Sequence, residues 1–158
     1  MGIFDKLFGG KTETESASTG EDAAEPEISP EQLHMACAAL LLEVAEADYK
    51  DDPKETQAIL RALESELGLK RATVTALLDQ AKAETEGATD LFPYTHLISQ
   101  RCTREQKCAM LTAMWRVAFA DGDLDKYEEH LIRRTTELLR LEHSDFIRAK
   151  QAGRPKQN

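Results

Sequence analysis

Apolar residues recur at the three- and four-residue spacing of α-helices from residue 29 onwards, and no stretch shows the strict alternation of a β-strand. The clearest apolar stripe runs through Leu33, Ala36, Cys37, Leu40, Leu41 and Val44. Helix-start and helix-stop residues divide the rest of the chain into further helices that begin near positions 53, 70, 91, 104, 126 and 144. The pattern predicts an all-α fold, a compact bundle of about seven helices.

The predicted helices carry clear start signals. A capping residue is followed three positions later by Glu or Gln, the pattern of a capping box, at Ser29–Gln32, Asp52–Glu55, Thr103–Gln106 and Asp125–Glu128. Proline directly follows the first two caps, at the helical position that suits it best. Ser144 is predicted to open the last helix.

One helix–bend–helix unit occurs twice in the sequence. Val44–Asp48 matches Val117–Asp121 at an offset of 73 residues. The same offset relates the acids that follow, Asp52 with Asp125 and Glu55 with Glu128. Self-similarity of this kind indicates a repeated structural unit. The bundle is therefore predicted to be built from two pseudo-repeated helix hairpins that bury their apolar stripes against each other.

Helical spacing places the acids of each bend. Asp48 continues the buried stripe of the helix before it, and Glu55 lies four residues before Ile59 on the inward face of the helix after it. Asp121 and Glu128 occupy the corresponding positions in the second copy. Each bend is thus predicted to direct one Asp and one Glu towards the concave side of its hairpin.

Helix capping offers one interpretation of these acids. An Asp followed three residues later by Glu is a common helix start, in which the Glu side chain accepts the N–H of the capping residue. Glu55 and Glu128 would then accept the backbone N–H groups of Asp52 and Asp125. In this interpretation the bends are purely structural.

A divalent cation site is the other interpretation. Ca²⁺ and Mg²⁺ prefer carboxylate and carbonyl oxygens, and capping does not explain three acids within five residues at Asp121, Asp123 and Asp125. The run is not an EF-hand loop, because Lys126 and Ile132 stand where glycine and a bidentate Glu are required. The candidate metal ligands are Asp121, Glu128, Asp123, Asp125, Asp48 and Glu55.

The net charge of −9 is concentrated near the amino terminus. Residues 9–30 contain six acids and one base, which gives this stretch a charge of −5. Because nucleic acid backbones require cationic partners, the charge argues against DNA or RNA binding. Three cysteines without CxxC spacing indicate a reducing, intracellular compartment. No nucleophile, phosphate-loop or His-based metal motif is present, so we expect a non-enzymatic protein with protein partners.

The chain is predicted to divide into four parts. Residues 1–8 form a short amphipathic element with an apolar face. Two interpretations of this element remain open: it folds back on its own domain, or it makes a peripheral contact with a membrane or a partner. Residues 9–29 have the composition of a disordered acidic linker. The helical domain is expected at residues 30–153, followed by a flexible tail at 154–158.

The run Met114–Arg134, MWRVAFADGDLDKYEEHLIRR, closely resembles the signature of TerB-like tellurite-resistance proteins, and the MGIFDKLFGG opening is similar to the start of many of them. The resemblance extends over about residues 31–152. It implies a helical fold with internal duplication, and a cytoplasmic stress protein or one at the inner face of the membrane. Tyr49 stands where Gly122 stands in the second copy, so the second bend matches better.

The resemblance also implies a divalent-metal site at Asp48, Glu55, Asp121 and Glu128, with Asp123 and Asp125 as additional ligands. The related fold heads the DjlA-type J-domain co-chaperones, but this sequence has no His-Pro-Asp triplet and therefore no J-domain activity of its own. The leading hypothesis is a TerB-like module of bacterial stress or tellurite and metal resistance that binds Ca²⁺ or Mg²⁺ and docks to partner proteins. The alternative is a purely structural interaction module.

Overall fold

The computed structural model describes residues 29–47, 52–86, 92–120, 122 and 124–155. These ranges contain seven α-helices and no strand, which confirms the predicted all-α bundle. The helices are α1 (Pro30–Glu46), α2 (Pro53–Leu67), α3 (Arg71–Thr85), α4 (Phe92–Arg101), α5 (Arg104–Ala118), α6 (Lys126–Leu138) and α7 (His143–Gly153). The predicted element at residues 1–8 and nearly all of the predicted linker lie outside the described residues.

Helix α1 forms the centre of the bundle. It contacts α2, α3, α4, α5 and α6. Contact on so many sides explains why its sequence is apolar around most of its circumference rather than along one stripe. Ala36, Leu40 and Val44 are completely buried, and the opposite side of the same helix is buried as well, for example at Ala38 and Leu41.

The helix starts follow the local signals. Ser29 Oγ accepts the N–H of Gln32 at 3.2 Å, and Gln32 Oε1 accepts the N–H of Ser29 at 2.9 Å, so the predicted capping box is present. The same reciprocal pair forms between Thr103 and Gln106 at the start of α5. Helix α2 ends at Gly68, whose φ of 68° is the left-handed conformation that favours glycine.

The start of α7 differs from the prediction. The helix begins at His143 rather than after Ser144, and Glu142 is its capping residue. The carboxylate of Asp145 accepts the N–H of Glu142 at 2.9 Å. A backbone N–H at the helix start therefore has a hydrogen-bond partner without a serine cap. Ser144 is an exposed residue of the first turn.

The two predicted hairpins correspond to α1–α2 and α5–α6. In both, an Asp side chain accepts a backbone N–H two residues later at the start of the second helix, and the third residue of that helix is a buried Glu. These shared features agree with the repeat in the sequence, and symmetry between the hairpins remains a prediction. No helix in the described part of the chain is long and apolar enough to cross a membrane.

Candidate cation site at the acidic bends

The structure describes three of the six candidate ligands. Glu55, Asp125 and Glu128 lie in or beside the first turns of α2 and α6. Asp48, Asp121 and Asp123 lie outside the described residues. The position of the glutamates agrees with the predicted inward face, since Glu55 is 1% exposed and Glu128 is 0% exposed. A buried carboxylate is costly for the fold unless hydrogen bonds or a cation compensate its charge.

At the second bend the structure forms the predicted capping box. Asp125 Oδ1 accepts the N–H of Tyr127 at 2.7 Å, and Glu128 Oε1 accepts the N–H of Asp125 at 3.1 Å. Ahead of this box, Gly122 has a φ of 91°, a conformation that side-chain-bearing residues rarely adopt. The glycine therefore lets the chain turn from α5 into the acidic run that precedes α6.

At the first bend the Asp52 half of the predicted box is present. Asp52 Oδ1 accepts the N–H of Lys54 at 2.9 Å. Next to Glu55 lies a cavity of about 50 Å³, whose lining includes Glu46, Asp52 and Lys82 as well as Glu55 itself. This volume exceeds the roughly 10–15 Å³ needed to hold one water molecule. The cavity thus offers space for a small polar species beside three carboxylates.

Sequence patterns did not single out two of the residues around this cavity. Glu46 lies within the repeated Val44–Asp48 segment, but its counterpart in the second copy is Phe119, so the repeat gave no reason to select it. Lys82 belongs to α3, which packs against α1 and α2 from a different part of the chain. Its ammonium group supplies a positive charge near the acids.

The described carboxylates alone do not complete a metal site. Among the residues that the structure describes, no group of three His, Cys, Asp or Glu side chains is placed to hold one ion. Half of the predicted ligand set lies outside those residues. In each predicted Asp–Glu pair, the described member is the buried glutamate, Glu55 or Glu128.

The sequence profile of the family described as "Tellurite resistance protein TerB" matches residues 34–151. The chain belongs to the TerB family. A solved structure with a similar fold is the protein of unknown function PG1108 from Porphyromonas gingivalis W83. It shares 20% sequence identity with a TM-score of 0.58, and the alignment covers 85% of this chain and 99% of that one. The chain matches none of the curated proteins.

Both acidic bends lie within the part of the chain that matches the TerB profile. The match begins inside α1 and ends inside α7, so it spans Glu55, Asp125 and Glu128. It confirms the resemblance drawn from Met114–Arg134. At 20% identity, the likeness to PG1108 supports the helical fold and carries no information on ligands.

Proposed function

We propose that this TerB-family domain is a non-enzymatic module of bacterial stress or tellurite and metal resistance, which binds a divalent cation at its acidic bends and docks to partner proteins. The observation that carries the proposal is the burial of Glu55 and Glu128 at the same position of α2 and α6, directly after the two bends. Clustered carboxylates are the ligands that hard cations such as Ca²⁺ and Mg²⁺ prefer.

The burial of the two glutamates supports cation binding more strongly than surface acids would. A carboxylate on an exposed helix face keeps its hydration and gains little from a cation, whereas a buried one gains a strong compensating charge. In the second bend, Asp121 and Asp123 flank Gly122 and precede Asp125, so the sequence brings further oxygen ligands to the same short stretch. The second bend is therefore the stronger site in this proposal.

Calorimetric titration of the full chain with Ca²⁺, Mg²⁺ and Mn²⁺, together with thermal melting, tests the cation half of the proposal. A ligand that binds only the native state must raise the melting temperature. We expect saturable heat and a higher melting temperature with at least one of these ions. Absence of both effects at about 10 mM ion, a concentration that shifts melting for any site tighter than millimolar, would overturn the cation site.

The variant Glu128→Gln distinguishes the two roles of Glu128, as a cation ligand and as the acceptor of the Asp125 N–H. The amide oxygen of the new side chain retains an acceptor for the N–H of Asp125, so the capping box survives while the charge is lost. We expect this variant to lose the metal-dependent rise in melting temperature. Glu137→Gln removes an equal charge from an exposed position of the same helix and should leave the metal response unchanged.

A purely structural interaction module is the second candidate function. It is favoured by two hydrogen bonds at the start of α6, in which Glu128 accepts the N–H of Asp125 and Asp125 accepts the N–H of Tyr127, because they give both acids a role without metal. In that case Glu128→Gln has no effect that depends on metal, and the melting temperature of the wild type is the same with chelator and with cation.

The cellular location in this proposal is the cytoplasm, with residues 1–8 as a contact to the inner face of the membrane. The apolar face of that element in the sequence supports the contact. Co-sedimentation with anionic liposomes, for the full chain and for a chain without residues 1–10, tests it. Equal partitioning of the two forms would reject membrane docking.

A further inference from the structure

A groove of about 650 Å³ lies between α2 and the carboxyl-terminal end of α5. Three of the residues that line it carry cationic side chains, Lys54, Arg61 and Arg116, and no described acid lines it. None of the three forms an ion pair within 4 Å with a carboxylate of the described residues. This concentration of positive charge is unexpected in a chain with a net charge of −9.

The floor of the groove is apolar and lined by small residues. Ala58 and Ala62 contribute from α2, and Ala120 contributes from the segment after α5. Short side chains leave room for a polypeptide backbone to approach the helices closely. An apolar floor bordered by guanidinium and ammonium groups suits a ligand that combines carboxylates with small aliphatic side chains.

The spacing of the cations favours an extended peptide over a single small anion. Lys54 and Arg61 are seven residues apart on one helix, which separates their backbones by about 10 Å along the helix axis. One phosphate or carboxylate group cannot bridge that distance. Acids two residues apart on an extended chain, such as Glu13 and Glu15, have backbones about 7 Å apart, so their side chains can reach two separate cations.

We propose that the groove is a binding site for the acidic segment Glu13–Glu27 of this same chain. This segment contains Glu13, Glu15, Glu21, Asp22, Glu25 and Glu27, interspersed with Ala, Ser, Thr and Gly. Its charge is opposite to that of the groove, and its small residues match the alanine floor. The stretch from residue 9 to 30 alone accounts for −5 of the net charge of −9.

The chain is long enough for this contact. The 17 residues of α1 rise about 26 Å, and eight extended residues cover the same distance at about 3.3 Å each. Glu21 precedes Ser29 by eight residues, so a chain extended from Ser29 to Glu21 spans the length of α1, and the acids before Glu21 have still greater reach. Because the segment is tethered, its effective concentration at the groove is of millimolar order, which compensates for a weak individual affinity.

Occupation of the groove by the segment has a consequence for partners. An acidic peptide of another protein can enter only when the segment leaves, so the segment acts as an internal competitor. The charged groups of this contact are Lys54, Arg61 and Arg116, which are different from the carboxylates proposed to bind a cation, although Lys54 lies between Asp52 and Glu55 of the first bend.

Fluorescence anisotropy with a labelled synthetic peptide of residues 11–28 tests the proposal on the full chain. The first protein is a full-length variant in which the six acids of the segment are replaced by Gln or Asn, which leaves the groove open. The second is the wild type, whose own segment competes. We expect the peptide to bind the open variant and to bind the wild type about tenfold or more weaker.

Two further proteins locate the binding site. Arg61→Glu with Arg116→Glu, added to the open variant, reverses the charge of the groove and should weaken peptide binding about tenfold or more. Arg134→Glu with Arg140→Glu is the matched control, since both arginines are exposed, lie outside the groove and give the same change in net charge. This control should bind the peptide as the open variant does. If the double groove variant does not fold, Lys54→Glu reverses the charge of the groove at a different position.

Equal binding to the open variant and the wild type shows that the segment does not occupy the groove, and it overturns the proposal. Equal loss in the groove variant and in the control shows only general charge attraction, which also overturns it. Failure of the unlabelled peptide of residues 11–28 to displace the labelled one would show that the label rather than the acidic segment binds, and this too overturns the proposal.

Discussion

The backbone of Gly153, in the last turn of α7, lies directly against the side chain of Trp115 in α5. A Cβ atom at Gly153 would stand 2.6 Å from Trp115 Cβ and 3.0 Å from the backbone oxygen of Thr112. Trp115 is fully buried, and its ring packs edge-on against Phe146 of α7 with 5.3 Å between the ring centroids. The glycine therefore sets the distance at which α7 packs on α5.

Gly153→Ala should destabilise the protein. Alanine favours a helix over glycine by about 1 kcal/mol, but the new methyl group would overlap atoms that have no free space to move into. Overpacking of this kind costs about 1–3 kcal/mol, so we expect a net fall in the free energy of unfolding. Urea denaturation followed by Trp115 fluorescence measures it. Gln151→Ala, at an exposed position of the same helix, is the control and should leave stability nearly unchanged.

The parts of the fold that the sequence predicted best depend on neighbours along the chain. The capping boxes at Ser29, Thr103 and Asp125 join residues three positions apart, so local sequence determines them. The inward position of Glu55 and Glu128 follows in the same way from helical spacing, because each lies four residues before a buried isoleucine.

The parts that the sequence did not predict depend on contacts between distant segments. The start of α7 is an example, because Arg104 of α5 reaches Asp145 and fixes the helix start around Glu142. The cationic groove likewise combines Arg61 of α2 with Arg116 of α5, and no pattern along the chain relates these two residues. Only the packing of the helices brings such residues together.

Gly122→Ala should lower the free energy of unfolding for a reason unrelated to space. Apart from its chain neighbours, no atom of the described residues lies within 4 Å of a Cβ built at this position, but the φ of 91° is unfavourable for a residue with a side chain. The cost is about 1–2 kcal/mol. Asn tolerates positive φ better than Ala, so Gly122→Asn should cost less. Equal urea midpoints for the wild type and the Ala variant would contradict the observed backbone conformation.

Asp125→Ala should destabilise α6 by removing its cap. The carboxylate accepts the N–H of Tyr127, and loss of such a cap costs about 1 kcal/mol. Asp125→Asn keeps an acceptor oxygen and should retain most of the stability. Both variants should be compared by urea denaturation in the presence of a chelator, so that any cation bound at the bend does not contribute. Identical losses in the two variants would show that the cap is not the source of the effect.

The stability that Asp145 provides should depend on pH. Burial raises the pKa of this carboxyl, but the N–H of Glu142 and the guanidinium of Arg104 outweigh burial and hold the pKa below its ordinary value. A folded-state pKa below the unfolded value of about 3.9 gives stability that is present above that pH and is lost as the pH falls through the folded-state pKa.

Asp145→Asn should therefore lower the free energy of unfolding at neutral pH, and the difference from the wild type should shrink as the pH is reduced below about 4. Urea denaturation at a series of pH values measures this. Glu142→Gln is the control, since the side chain of Glu142 is 75% exposed and its pair with Arg104 at 3.3 Å should contribute little. A difference that stays constant down to pH of about 2 would indicate that the charge of Asp145 is not involved.

The three thiols should react slowly in the folded protein. Burial raises the pKa of Cys37 well above its ordinary value and raises the pKa of Cys102 to about 12. The pKa of Cys108 is also raised, by burial and then by Asp145, whose Oδ1 lies 3.7 Å from the thiol sulfur. Since the thiolate is the reactive form, few of these groups are ionised at neutral pH.

We expect iodoacetamide at a pH of about 8 to modify Cys37 and Cys102 far more slowly than it modifies glutathione, and Cys108 to react first because its pKa is raised less than that of the other two. Peptide mapping by mass spectrometry gives the order of modification. The same reaction in concentrated urea is the control, because unfolding removes burial and all three residues should then react at similar rates. Modification of Cys102 in the folded protein at the rate found in urea would contradict the raised pKa of its thiol.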